Sequence, residues 1–235
     1  MVVYYNRNMD NSNRVIVSRR NRPAKEPLSR ELIVKTAFEL LKEQGMEGMS
    51  MRKVAKALDT GPSSLYVYFN NLGQLSSYVL DYGFKELTLP SDGEWKERLF
   101  GVLQAYFQLL KEQPGLAEIS FTILPEGENY LKLLEFVLEA LREGEINPQS
   151  AAWGADMMLL YVTSVAFEQH SRRKNDSFKL SNTKAALKNV DSARFPLIHS
   201  MNEYLFSGDV VVMERFWWGL EVILKGIKDL PVMKE

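Results

Sequence analysis

The sequence predicts an all-α protein, in which an N-terminal three-helix helix-turn-helix domain precedes a larger all-helical domain. Apolar residues recur at intervals of three and four, and no stretch alternates cleanly as a half-buried strand would. Charge divides the chain, because residues 1–71 hold 12 Lys/Arg against 7 Asp/Glu, whereas residues 72–235 hold 17 against 23. A basic first third ahead of an acidic remainder is typical of a nucleic-acid-binding head joined to a body with another task.

Composition narrows the class of protein before any motif is considered. A chain of 235 residues with 46% apolar residues suits one or two domains with a real core. No run of 18 apolar residues without charge is present, so no membrane span is expected, and the N-terminus lacks the apolar region of a signal peptide. The absence of cysteine excludes disulfides, thiolate catalysis and cysteine-bound zinc. We therefore expect a cytoplasmic protein.

Residues 1–28 are expected to form a basic, flexible arm. They carry six Lys/Arg against two acidic residues, contain five Asn and show no helical period, which predicts disorder in isolation. A basic arm of this kind can follow DNA into the minor groove. The alternative, a solvated extension without a role, is equally compatible with the composition.

The first helix is expected over residues 29–44 and ends at Gly45, and a second helix follows from a cap at Ser50. In that second helix Val54, Ala57 and Leu58 fall on one face. Three basic side chains fall largely off that face: Arg52, Lys53 and Lys56. One face is thus available for packing and the other for solvent or a ligand.

A third helix is expected to follow the turn at 59–61, with Gly61 as its cap and Pro62 at its first position, where proline is tolerated. Leu65 and Phe69 are four residues apart and are expected to face inward. The outer face would carry Ser63, Ser64, Val67 and Tyr68. An apolar back with short side chains at the N-terminal end is what a helix needs to reach base edges in a major groove.

In this order the features resemble the N-terminal DNA-binding domain of the TetR family of bacterial repressors. The resemblance covers residues 28–87, and its most diagnostic part is the Leu-Tyr-x-x-Phe run at 65–69. It implies a domain at 29–87 that binds a near-palindromic double-stranded operator as a homodimer. The implied DNA-binding residues are Arg52, Lys53, Gly61, Pro62, Ser63, Ser64, Tyr66, Val67 and Tyr68.

Within that set the expected roles differ. Ser63, Ser64 and Val67 would touch bases, and Arg52 would make the bidentate contact with guanine. The phosphate contacts would come from three side chains: Lys53, Tyr66 and Tyr68.

The chain departs from the family pattern where the next helix begins. The family usually places a Lys-Glu-like pair there, with the lysine on a phosphate, whereas this chain has Leu72 and Gly73. Asn71 can still cap this helix, and Gln74 would complete a capping box. The departure leaves open an alternative, a helical ligand-binding protein with weakened or lost DNA binding.

A second domain is expected over residues 91–230. A capping box at 91–94 would open it, followed by a helix with inward Leu99, Leu103, Tyr106 and Leu110. A short helix is expected near 115–123. Another helix follows Gly127 and ends at Gly144, and within it four positions recur at helical spacing: Leu131, Leu134, Val137 or Leu138, and Leu141. A helix of about twenty residues starts at Pro148, residues 171–191 form a loop or weak helix, and a final helix spans about 209–228.

Two of these helices have more apolar surface than one subunit needs. Between residues 151 and 167 only Asp156, Thr163 and Ser164 are polar, so this helix should be buried on nearly every side. The last helix shows two apolar rows. One row is Val212, Phe216, Gly219, Leu220, Ile223 and Ile227, and the other is Met213, Trp217 and Leu224. A homodimer joined through a four-helix bundle explains the excess.

The resemblance extends to the all-helical C-terminal domain of tetracycline-repressor-like proteins, through 92–99, 113–117, the helix from Pro148 and the segment 216–221. It implies a cavity for a small hydrophobic inducer that releases the repressor from its operator. The implied ligand-binding residues are Gln104, Tyr106, Phe121, Trp153, Met157 and Tyr161. Ordinary core packing is the alternative for each of these side chains.

No catalytic residue, cofactor or metal site is expected. The chain has no phosphate-loop glycines, no nucleophile elbow and no metal-ligand spacing, and its two histidines have no second histidine at i+3 or i+4. Two alternatives stay open: a metal-bound drug held by His170 or His199, and an all-helical enzyme using Asp156 with a histidine.

Overall fold

The computed structural model describes residues 26–123, 126–174, 180–205 and 213–230, and these ranges contain eleven α-helices and no strand. The all-α prediction is therefore confirmed. The predicted arm lies outside the described residues except for its last three positions. Among the described residues no helix is both long and apolar enough to cross a membrane.

Four α-helices and one 3₁₀ turn form the N-terminal head. They are α1 Arg30–Gln44, the 3₁₀ turn Gly45–Gly48, α2 Met51–Ala57, α3 Pro62–Leu65 and α4 Leu72–Phe84. The first two helices are both capped by a serine. The Ser29 hydroxyl accepts from the Leu32 N–H, and the Ser50 hydroxyl accepts from the Lys53 N–H, as predicted for Ser50. Each hydroxyl satisfies one of the N–H groups that a helix start leaves unpaired.

The inward face of α2 differs from the prediction. Val54 and Leu58 are buried as expected, but Ala57 is exposed and Ala55 is buried in its place. Adjacent residues lie about 100° apart around a helix. Which of the two alanines faces inward is therefore decided by the positions of the neighbouring helices.

Helix α3 is also shorter than predicted. It ends at Leu65, and residues 66–68 form a turn, although the Phe69 N–H still bonds to the Leu65 carbonyl at 3.0 Å. The capping box predicted for α4 is half formed. Asn71 Oδ1 accepts from the Gln74 N–H at 2.8 Å, but the Gln74 side chain accepts from Asn70, one residue too early.

Seven helices form the body. They are α5 Trp95–Glu112, α6 Pro114–Thr122, α7 Glu128–Glu143, α8 Pro148–Lys174, α9 Leu180–Lys188, α10 Pro196–Met201 and α11 Glu214–Asp229. Helix α8 is central, because α5, α6, α7 and α11 all pack against it. Helix α6 also contacts α1 and α4, so it lies between the body and the head.

Two body predictions need correction. The cap of α5 is Glu94, not Ser91, and the Glu94 N–H donates to the Glu97 carboxylate at 3.3 Å. In α7, Leu131 is exposed, and the buried face consists of Leu133, Val137, Ala140 and Leu141. The segment 171–191, expected to be a loop or weak helix, contains the nine-residue helix α9.

Head and body interlock at two glycines. A Cβ at Gly83 of α4 would lie 2.5 Å from a methyl carbon of Leu116 in α6. A Cβ at Gly115 of α6 would lie equally close to a methyl carbon of Leu41 in α1. Each glycine therefore leaves the space that a leucine of the other unit fills, and the two units share one hydrophobic core.

Candidate nucleic-acid interface and ligand groove

The α3 segment presents apolar side chains to solvent while its back is anchored in the core. Leu65 and Phe69 are fully buried, whereas Val67 is 79% exposed and Tyr66 is 54% exposed. An exposed valine beside an exposed aromatic ring has no role in packing within the head. Such tips suit contacts with thymine methyl groups and the sugar-phosphate backbone in a major groove.

Small polar groups stand at the start of the same segment. Gly61 and Pro62 are exposed and begin α3, and Ser63 beside them is also exposed. Ser64 is half-buried, and its hydroxyl accepts a hydrogen bond from the Thr60 hydroxyl at 3.1 Å. Ser63 is therefore the more accessible hydroxyl of the two.

The basic side chains of α2 are exposed but not equivalent. The Lys53 ammonium donates to the Glu47 carbonyl at 2.6 Å, so a phosphate would have to share or replace that contact. Arg52 and Lys56 are exposed on the same helix. Arg52 stands next to the capped N-terminus of α2 and keeps its planar, five-donor group available for a bidentate contact.

Tyr68 contacts the protein itself through its hydroxyl. The Tyr68 hydroxyl donates to the Leu28 carbonyl at 2.6 Å, and its ring is half-buried. Residue 28 ends the predicted arm, so this bond holds the end of the arm against the α3 segment. Sequence reasoning missed this contact, since nothing local in the sequence indicates which carbonyl a tyrosine forty residues away will reach.

Arg30 is a basic residue that sequence reasoning missed. Its guanidinium lies 5.9 Å from the Phe69 ring centre and 5.8 Å from that of Tyr78, within the range of cation–π attraction. It belongs to the first turn of α1, beside the back of the α3 segment. A positive charge is thereby fixed near the proposed DNA face.

The predicted ligand-binding residues do not all converge. Phe121 and Tyr161 line one groove. Tyr106 is buried in the core, where its hydroxyl and that of Thr163 lie 2.8 Å apart in a hydrogen bond. Gln104 is exposed, and Trp153 and Met157 lie on the outer face of α8, where each is about half exposed.

The groove that contains Phe121 and Tyr161 has a volume of about 520 Å³. Its lining comes from the end of α6, the second half of α8 and the start of α11. The lining residues are Phe121, Tyr161, Ser164, Val165, Phe167, Glu168, Arg215, Trp218 and Gly219. A mostly apolar cleft with a few polar groups is the usual form of a small-molecule site.

Aromatic rings form one wall of this groove. The rings of Phe121 and Phe167 are stacked, with centroids 5.2 Å apart and planes 9° apart. Tyr161 stacks on Phe216, and glycine at position 219 is required because a Cβ there would overlap with the Tyr161 hydroxyl. The wall offers flat apolar surface to a flat ligand.

The polar rim of the groove consists of one linked set of groups. The Tyr161 hydroxyl donates to the Arg215 carbonyl at 3.0 Å, and the Arg215 guanidinium donates to the Glu168 carboxylate at 3.2 Å. Burial raises the pKa of Tyr161, so its hydroxyl stays a donor at neutral pH. Sequence reasoning missed Glu168, Arg215 and Trp218 because residues from two distant helices form this rim.

The histidines do not form a metal site among the described residues, which contain no group of three His, Cys, Asp or Glu side chains placed to hold an ion. His170 Nε2 lies 3.7 Å from a Glu118 carboxylate oxygen. Asp156 is exposed fourteen residues earlier on α8, about 21 Å away at the helical rise. The enzyme alternative, when built on Asp156 and His170, therefore has no shared site.

A strip of apolar side chains runs along the outside of α8 and α11. It consists of Trp153, Met157 and Leu160 on α8 and Trp218 and Val222 on α11, all of them about half exposed or more. One of the two apolar rows predicted on the last helix was expected to face a partner. Neither row is free, because Leu220 in one and Leu224 in the other are buried, and Trp217 stacks against Phe100.

Residues 88–230 match the family described as the tetracyclin repressor-like C-terminal domain, and residues 33–75 match the bacterial regulatory proteins of the tetR family. Among solved structures, a transcription regulator of Streptomyces coelicolor is 37% identical, with a TM-score of 0.76, and the match covers 90% of this chain and all of that one. Apo ActR of Streptomyces coelicolor is 31% identical, with a TM-score of 0.78, and the match covers 86% of this chain and 97% of ActR.

A curated relative is the HTH-type transcriptional repressor DrrR1 of Streptomyces coeruleorubidus. It is 27% identical over 227 residues, which are 92% of this chain and 83% of DrrR1. ActR has also been solved in complex with actinorhodin and in complex with (S)-DNPA, and both structures are 30% identical to this chain.

Proposed function

The chain belongs to the TetR family of bacterial transcription regulators, and on this basis we propose that it is a ligand-responsive repressor of a palindromic operator. The observation that carries the proposal is the α3 segment, in which buried Leu65 and Phe69 hold an exposed Val67 and Ser63 outward. A protein of this kind meets its operator in the cytoplasm.

For DNA reading we assign the bases to Ser63, Val67 and Arg52, and the phosphates to Lys53 and Tyr66. Ser64 and Tyr68 support the interface from behind, because each already holds a hydrogen bond inside the head. This division refines the sequence prediction, in which both residues faced the DNA directly.

For assembly we propose a homodimer through the apolar strip of α8 and α11. Half-exposed tryptophan, methionine and leucine side chains on two helices that pack against each other are what an interface between subunits covers. A two-fold axis through this strip would present two α3 segments to successive major grooves about 34 Å apart.

For regulation we propose that a flat aromatic molecule binds the groove along Phe121 and Phe167. The ActR complexes contain actinorhodin or (S)-DNPA, and the match to ActR covers 86% of this chain. Bound ligand would favour an arrangement of the heads that no longer matches the half-site spacing, and the affinity for DNA would fall.

The alternative of lost DNA binding draws on Leu72 and Gly73 in place of a phosphate-binding pair. In the structure Gly73 is exposed in the first turn of α4, where helix N–H groups point outward. Such N–H groups bind phosphate without a lysine. The N-terminus of α4 therefore supports retained DNA binding despite the departure from the family pattern.

The test is selection of DNA duplexes from a random-sequence pool by the full-length protein. We expect a palindromic consensus with half-sites about one turn apart, and an affinity that falls linearly on a log scale with salt. A protein that retains no duplex above background would have lost DNA binding, and the alternative would then be correct.

A further inference from the structure

The carboxylate of Asp81 lies at the start of helix α7, although Asp81 itself belongs to α4 of the head. Asp81 Oδ1 accepts from the Tyr130 N–H at 3.0 Å, and Oδ2 accepts from the Asn129 side-chain amide at 3.0 Å. The same amide of Asn129 also donates to the Asp81 carbonyl at 3.1 Å. Three hydrogen bonds thus join one residue of the head to the first turn of a body helix.

Helix α7 has no side-chain cap of its own. Its cap position is Gly127, which carries no side chain to accept from the first-turn N–H groups. Those groups have no acceptor inside the helix, so another part of the protein or water must supply one. The Asp81 carboxylate does so, and its negative charge is favourable at a helix N-terminus.

Gly127 is also what lets the carboxylate approach. A Cβ at position 127 would overlap with the carboxylate of Asp81. The φ of Gly127 is −102°, which any residue can adopt, so the requirement for glycine comes from this contact and not from the backbone. Asp81 of α4 and Gly127 at the start of α7 together form a joint between the two helices.

This joint lies close to the groove along the chain. Phe121, which forms the groove wall, stands at the end of α6, and Gly127 follows six positions later. A ligand that contacts Phe121 therefore binds six positions along the chain from the glycine that lies against Asp81.

We infer that Asp81 is a positioning residue that couples the DNA-binding head to the groove by capping α7 from outside. The inference rests on the proposed function. In the arrangement that binds DNA the cap is formed, and in the ligand-bound arrangement it is strained or broken. Linkage then makes a quantitative demand: DNA must lower the equilibrium population of the open cap by the same factor by which opening weakens DNA binding.

The experiment measures backbone hydrogen exchange in the first turn of α7 in the full-length protein, with and without a duplex that the protein itself selects from a random pool. In the unaltered protein we expect the duplex to slow exchange of the Tyr130 amide by about 5–150-fold, the range of one allosteric coupling. In Asp81→Ala the amide should exchange about 2–30-fold faster without DNA, as expected when a cap is removed, and should not respond to the duplex.

Three further variants separate coupling from helix stability. Asn147→Ala removes the cap of α8, where Asn147 Oδ1 accepts from the Ser150 N–H at 2.9 Å, so it removes a similar hydrogen bond wholly within the body. Asn147→Ala should keep the DNA response at Tyr130. Asp81→Asn keeps an oxygen acceptor and should restore part of the response, whereas Gly127→Ala should behave like Asp81→Ala.

The outcomes distinguish this inference from the function on which it rests. If no duplex is selected, the repressor proposal is wrong and the coupling role falls with it. If a duplex is selected but Asp81→Ala shows the same DNA-dependent slowing as Asn147→Ala, the repressor proposal stands and the coupling role of Asp81 is wrong.

Discussion

The hydroxyl of Tyr68 donates to the carbonyl oxygen of Leu28 at 2.6 Å, so the residue that follows the proposed DNA-reading tip also holds the end of the N-terminal arm. The arm carries six of the twelve Lys/Arg of residues 1–71. The C-terminal end of the arm therefore lies beside the α3 segment.

Deleting residues 1–25 should weaken DNA binding at low salt and flatten the slope of log K against log salt by about 0.9 for each phosphate that the arm neutralises. The reason is that the end of the positively charged arm lies next to the proposed DNA-binding face. Fluorescence anisotropy over a series of salt concentrations measures the slope. An unchanged slope would show that the arm neutralises no phosphate.

Tyr68→Phe tests the tether itself. It removes one hydrogen bond and leaves the Leu28 carbonyl without that donor, so stability should fall by about 1 kcal/mol. If the tether aims the arm, the salt slope should also move part of the way toward that of the deleted protein. Tyr204→Phe is the matched control, because Tyr204 is an exposed tyrosine of the body that is not assigned to a DNA contact.

Arg52→Ala should weaken the free energy of binding by about 1–3 kcal/mol for the selected duplex and by much less for random DNA. The reason is that a bidentate contact with guanine carries sequence information. Arg142→Ala is the control, since it removes the same charge from an exposed position on α7. Equal losses on both duplexes would assign Arg52 to phosphate.

Leu160→Glu should split the dimer, because it places a charge in the middle of the apolar strip. Leu131→Glu is the control: Leu131 is 57% exposed and Leu160 is 55% exposed, but Leu131 lies on α7 away from the strip. Sedimentation at micromolar concentration should give monomers only for Leu160→Glu. Leu220 is unsuitable for this test because it is fully buried within the subunit.

Phe121→Ala should weaken binding of a flat aromatic ligand by up to about tenfold, since a stacked aromatic pair contributes about 0.5–1.5 kcal/mol. Actinorhodin is a suitable first probe for titration. Phe195→Ala removes a ring of similar exposure outside the groove and should bind as the unaltered protein does. Equal affinities for both variants would place the ligand elsewhere.

Tyr106 predicts a dependence of stability on alkaline pH. Burial raises the pKa of Tyr106 above its usual value of about 10. Below that value the hydroxyl is protonated in both states, so its contribution to stability is constant. Above it the unfolded chain loses the proton first, and stability falls as the pH rises through the folded pKa.

Tyr106→Phe should therefore be less stable than the unaltered protein at neutral pH, by about 1–3 kcal/mol, because Thr163 loses its buried partner. The difference in the free energy of unfolding between the two proteins should narrow above pH 10, with a slope of up to about 1.4 kcal/mol per pH unit. Urea unfolding from pH 8 to 11 measures both curves. Parallel curves would show that Tyr106 does not titrate with unfolding.

Local features of the fold could be predicted from the sequence, and relations between distant residues could not. The caps at Ser29, Ser50 and Asn71 were predictable, because a capping side chain acts on backbone two or three residues away. The choice of Ala55 over Ala57 for the inner face of α2 was not, since it depends on which side α1 and the other helices occupy.

The candidate sites show the same division. The α3 segment could be located because its anchors and its tips belong to one short run of residues. The groove combines Phe121, Glu168 and Arg215 from three helices, and the external cap of α7 joins Asp81 to residues 48 and 49 positions away. Spacing along the chain does not indicate which residues of distant helices will be in contact.

The interlock of Gly83 with Leu116 and of Gly115 with Leu41 has a consequence for engineering. Chimeric sensors are made by grafting the reading unit of one regulator onto the sensing unit of another. In this protein each unit supplies both a glycine and a leucine to the seam, so a transplanted head with a larger residue at position 83 would collide with Leu116. A graft that preserves signalling must therefore be cut on the body side of α6, so that both leucine–glycine pairs travel together.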